Sequence, residues 1–78
     1  MDVSIHSAIF QPLQDGDPYF VIVSALPTNL REPPPRGAQK TVTAATLDEA
    51  RAKCRTLAFE IGRTLRSYGD TIRSIHLK

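Results

Sequence analysis

The chain has no tryptophan, one cysteine and one methionine in 78 residues, with three phenylalanines and two tyrosines as its aromatics. Few large side chains are therefore available to anchor a core. A lone cysteine excludes an internal disulfide framework and fits a reducing compartment, so a cytoplasmic protein is expected. No stretch approaches the ~18 consecutive apolar residues that would read as a membrane span. The opening MDVSIHSAIF carries neither a basic leader nor a long apolar run, so no signal peptide and no membrane partner are expected. Chemistry-bearing signatures are missing too. No serine sits in a G-x-S-x-G context, and no phosphate loop or dinucleotide fingerprint occurs. His6 and His76 are the two histidines, and without a third ligand at fixed spacing they make no metal framework. The chain is expected to be non-enzymatic, with no cofactor and no metal.

What is present is one long amphipathic stretch, Thr46 to Tyr68, TLDEARAKCRTLAFEIGRTLRSY. Thr46 and Glu49 have capping-box spacing, in which the hydroxyl accepts from a first-turn N–H and the carboxylate reaches back to the Thr46 N–H. Asp48 and Glu49 complement the positive helix end, and Glu49 to Lys53 is a favourably oriented i,i+4 pair. Leu47, Ala50, Cys54, Leu57, Ala58, Ile61, Leu65 and Tyr68 recur at i, i+3/4, i+7 and define a core stripe. Cys54 belongs to it as a buried, inert thiol. Gly69 supplies the stop.

The opposite helix face is unusual for a solvated surface. Arg51, Arg55, Phe59, Gly62, Arg63 and Arg66 project away from the stripe. Arginine and aromatics together mark binding hot spots. Arg51, Arg55, Phe59, Arg63 and Arg66 are accordingly the candidate partner-binding residues. The net charge is only +2. Its distribution is lopsided: residues 1–40 carry three basic and four acidic side chains, residues 41–78 seven basic and four acidic. That points to a basic patch, not a generally basic protein.

Around the helix the chain reads as short strands. Residues 3 to 11 alternate as a first strand, which Pro12 ends. Gln14-Asp15-Gly16-Asp17-Pro18 is a turn; its two carboxylates lack the further ligands of a calcium loop. Tyr19 to Leu26 is β-branched and aromatic on both faces, which predicts a central strand covered on both sides. Residues 27 to 40, PTNLREPPPRGAQK, form a flexible proline-rich loop in which Pro33-Pro34-Pro35 favours polyproline II. Arg31 and Arg36 flank it without making a PxxP motif. Thr41 to Ala45 is a short third strand, and Thr71 to Leu77 a fourth with Ile75 and Leu77 opposite Ser74 and His76. The fold class is therefore α+β, β-β-β-α-β in one domain over 1–78. An antiparallel three-stranded meander is joined by a C-terminal strand set parallel to the first, with the helix packed on one face.

Asp15-Gly16-x-x-Tyr19-Phe20-Val21, Leu26-Pro27 and Thr46-Leu47-Asp48-Glu49-Ala50 together resemble the HicB-type antitoxin domain over residues 3 to about 66. That resemblance implies a partial double-stranded-RNA-binding-like unit that neutralises a small ribonuclease toxin and often self-associates. Ser24 to Thr28 lacks the acidic residue and glycine of the family's turn, residues 31–40 are extra, and the helix is richer in arginine. No helix-turn-helix or ribbon-helix-helix segment follows, so operator binding is not implied.

The expected function is thus a small binding module acting by protein–protein contact, antitoxin-like. The alternative is an RNA- or DNA-binding module using the helix arginines. An enzyme survives only if subunits pool His6 and His76. One helix covers one face of a four-stranded sheet, which leaves Phe10, Phe20 and Ile22 as candidates for a dimer face. A homodimer is expected, packed through the sheet or completed by an exchanged strand.

Overall fold

A computed structural model describes residues 1–35 and 38–78. Arg36 and Gly37, read above as a proline-flanking charge and a loop glycine, lie outside the described residues. The elements are β1 (Asp2–Phe10), β2 (Tyr19–Pro27), β3 (Gln39–Ala44), α1 (Leu47–Ser67) and β4 (Thr71–His76). Four strands form one sheet in the order β3-β2-β1-β4. β1 pairs antiparallel with β2, β2 antiparallel with β3, and β1 parallel with β4. The α+β class stands. The sheet is mixed, and β4 joins at β1, on the edge away from β3, so it is not a plain meander with one strand added.

Side-chain parity explains how the sheet takes the helix. Val3, Ile5, Ser7 and Ile9 of β1 lie across from Pro27, Ala25, Val23 and Val21 of β2. Of these eight only Ile9 is not fully buried. They meet Ala50, Cys54, Leu57, Ala58, Ile61 and Leu65 of α1 in one core. Ser7 is the buried polar member, and its Oγ accepts from the Lys78 backbone N–H at 2.8 Å. The helix begins as its spacing requires, with one change. Thr46 Oγ1 accepts from the Glu49 N–H at 3.1 Å, but the Glu49 carboxylate accepts from the Ala45 N–H at 3.2 Å, one residue before the expected donor. It also pairs with Lys53 at 3.0 Å. The Lys53 hydrogen bond, then the Ala45 N–H and the Lys53 charge, hold its carboxyl below the usual carboxylate range. A depressed folded-state pKa means this capping helps above the ordinary carboxylate range and is lost as pH falls through the folded value. Gly69, at φ +90, turns the chain out of the helix into β4.

Several boundaries differ from the sequence reading. The proline-rich loop is shorter than 27–40. Pro27 closes β2, buried across from Val3, and Gln39 and Lys40 already belong to β3. Proline is tolerated at that strand end because the Ala25 N–H and the Thr28 N–H carry the local bonding, to Ala38 O at 2.6 Å and Asp2 O at 2.9 Å. Tyr68, assigned to the core stripe, is the C-cap residue and 65% exposed. The backbone leaves helical geometry there, so the 100° phase no longer applies. Gly62, assigned to the outer face, is buried against β1.

A Cβ at Gly62 would sit 3.6 Å from Ile5 Cδ1, which is ordinary contact. Gly62→Ala is therefore expected to stabilise the protein by about 0.5–1 kcal/mol, the helix-propensity difference. Thermal unfolding followed by circular dichroism checks this. A fall in Tm would mean that helix and sheet pack more tightly than the 3.6 Å gap allows.

Candidate binding faces

Two surfaces remain after the core is built. The first is the outer side of α1. Arg51, Arg55, Phe59 and Arg63 follow one another at i+4 steps, with Arg66 one turn on, and all five are exposed. Phe59 is 68% exposed. Among the described residues none of these four arginines makes a salt bridge. Of the helix acids, Glu49 pairs with Lys53 and Glu60 with Lys40 at 3.2 Å, and Asp48 in the first turn makes no salt bridge with any of the four. The arginine charge is thus left uncompensated around an aromatic ring. Such an arrangement can form bidentate bonds to carboxylate or phosphate while the ring supplies apolar contact.

The second surface is the sheet face turned away from α1. Register places Phe10 across from Phe20, Ala8 across from Ile22, His6 across from Ser24 and Ser4 across from Leu26. Thr43, Thr41 and Gln39 of β3 continue these rows beyond Phe20, Ile22 and Ser24. β2 was expected to be covered on both sides. Within the chain it is covered on one only: Phe20 is 47% exposed, Leu26 43% and Phe10 53%. Ile22 is partly buried by its strand neighbours. The described residues of the loop do not close over this face: Leu30 is 84% exposed and Ala38 packs against the core on the helix side.

Sequence reasoning proposed Phe10, Phe20 and Ile22 as candidates here; Leu26, which shares their parity along β2, belongs with them. It missed an apolar hollow of about 460 Å³ at the hairpin end, lined by Phe10, Pro12, Leu13, Pro18 and Phe20 among others. The signal was the apolar trio Pro12, Leu13 and Pro18 bracketing a turn read only for its Asp and Gly.

β4 completes the face. A bulge between Val3 and Ser4 leaves Arg73 without a register partner, and its Nε bonds Asp2 Oδ2 at 2.9 Å. Past the bulge, Ser4 lies beside Ser74 and His6 beside His76. The two imidazoles stack with centroids 4.9 Å apart and planes 14° from parallel. His76 Nε2 lies 3.0 Å from Ser74 Oγ, which donates to Ser4 Oγ at 3.0 Å. The parallel pairing of β1 and β4 is what brings together histidines 70 residues apart in the chain.

Among the described residues no three His, Cys, Asp or Glu side chains converge. No helix of the described residues is long and apolar enough to cross a membrane. No protein-family model, curated protein or solved structure matches the chain.

Proposed function

We propose that the chain is a small, non-enzymatic, self-associating binding module that acts by protein–protein contact, antitoxin-like in the manner of the HicB-type domain it resembles. The observation that carries this reading is the outer face of α1, where four uncompensated arginines surround an exposed Phe59. A partner presenting carboxylates around an apolar pocket would match both features. Burial of Phe59 supplies affinity, and the arginines supply orientation and rate of encounter. The lone, fully buried Cys54 agrees with work in a reducing, cytoplasmic setting. In this reading Phe10, Phe20 and Ile22 belong to the contact between two copies.

A nucleic acid on the same arginines is the competing reading, and salt separates the two. Neutralising phosphates releases counterions, so affinity falls steeply with salt, whereas a contact centred on Phe59 falls less. The tagged chain is passed through nuclease-treated and untreated native lysate at ~50 and ~200 mM salt. A discrete protein retained in all four conditions, and lost from the Phe59→Ala chain, supports the protein reading. Retention of RNA or DNA alone, abolished by nuclease or by the higher salt, overturns it.

A further inference from the structure

The open sheet face differs in character from the helix face. Its side chains are Ser, Thr, Gln, Ala, Phe, Ile, Leu and His, and its charges, Asp2 and Arg73, neutralise each other at one corner. An acidic or basic partner finds nothing there to match. A second neutral, apolar surface does, and the nearest such surface is the same face on another copy.

The dimensions agree. β1 and β2 have nine residues each and β3 and β4 six. At ~3.3 Å per residue and ~4.8 Å between strands the face has a footprint of roughly 500 Å². With side-chain relief added, that approaches the ~600 Å² per partner at the lower end of stable interfaces. The chain exposes 5326 Å², against ~4,700 Å² for a sealed monomer of its mass. Its radius of gyration is 13.2 Å, against ~11.5 Å for a compact domain of this length. The hairpin tip and loop residues 28–35 take part of that excess, and Phe10, Phe20 and Leu26 on the sheet take another part.

His6 is the middle residue of β1, and β1 is an inner strand. A two-fold axis that runs across the strands at the His6 row brings two His6–His76 pairs against each other. We propose, building on the self-associating module above, that a second copy covers this sheet face with the histidine pairs meeting about the two-fold axis, so that the pair of copies holds only while the imidazoles are neutral. Imidazole is the side chain that changes charge between about pH 5 and pH 8. Stacked 4.9 Å apart, two protonated rings repel, and burial beneath a second sheet opposes the charged form further.

The groups facing the pair offer little compensation. β2 presents Ser24 and β3 presents Gln39 on the His6 row. β1 presents Ser4 and β4 presents Ser74 on the next. Asp2 is already bound to Arg73, and Lys78 follows β4. A dimer that excludes protons from the rings must lose out as pH falls, because the separated copies bind those protons more readily.

Sedimentation equilibrium on the full chain at micromolar concentration, at pH ~8 and ~5.5, tests this beside His6→Gln and His76→Gln. The expected result is a mass near twice 8.6 kDa at the higher pH. At the lower pH the dissociation constant rises at least tenfold; the rise is smaller in each single variant, which keeps one imidazole, and is lost when both histidines are replaced by glutamine. Far-ultraviolet circular dichroism at both pH values confirms that the fold persists. A dimer equally tight at both pH values, or tighter in acid, overturns the histidine gate while leaving self-association standing. A mass near 8.6 kDa at both overturns self-association itself and the gate with it.

Discussion

Ile61→Ala is expected to destabilise the fold by about 2–5 kcal/mol, the range for removing a large aliphatic side chain from a packed interior. Ile61 is fully buried and stands on α1 directly before Gly62, whose position lies over Ile5 of β1. Its fellows in the core, Val3, Ile5, Val21, Val23 and Leu65, are themselves fully buried. The loss matters because a domain this size has a total stability of ~4–12 kcal/mol. At ~4–8 °C per kcal/mol the midpoint falls by ~8–40 °C. Thermal melts by circular dichroism measure it. A shift of only a degree or two would mean that the helix does not seal the sheet through this residue, and the one-sided core described above would be wrong.

Phe59→Ala with Arg55→Ala should do the reverse: leave the fold standing and remove partner binding. Both residues lie on the outer face of α1, and Phe59 is 68% exposed. Surface changes of this kind cost within about 0.5 kcal/mol each. Binding is expected to weaken ~100-fold or more, since truncating a hot-spot residue costs ~2 kcal/mol or more and 1.4 kcal/mol is tenfold. The readouts are the melting midpoint of the double variant and its retention of the protein captured by the unaltered chain. Unfolding would show that Phe59 is sealed against a second copy or the core. Full binding by a folded variant would place the contact elsewhere and remove the basis for the protein reading. The contrast with Ile61, two residues along the same helix, rests only on which way each side chain faces.

The fold class and the helix were legible because both depend on local patterns. Thr46, Glu49 and Gly69 mark the ends of α1 through short-range backbone bonding. The Ala50, Cys54, Leu57, Ala58, Ile61, Leu65 repeat identifies its buried side through helical geometry alone. Alternation along β1 and β2 likewise set which residues share a face. The outer face of α1, with Arg51, Arg55, Phe59, Arg63 and Arg66, followed from the same periodicity.

Periodicity could not decide Gly62 or Tyr68, because each depends on what lies opposite. Gly62 is buried since Ile5 comes down on it, and Tyr68 is released where the helix ends. Nor could it decide that β2, apolar on both sides, would find cover within the chain for only one. That outcome depends on the chain holding a single helix and on a loop that packs Ala38 at the core and leaves Leu30 in solvent. The stacked His6–His76 pair was furthest from the sequence. It exists because β4 returns parallel to β1 and a bulge at Arg73 sets the register past Ser4. By itself the sequence determined the elements and the faces they present, since those are fixed by neighbours a few residues away. Only the tertiary structure decided which faces meet and which stay open, since that is fixed by contacts between residues up to 71 positions apart.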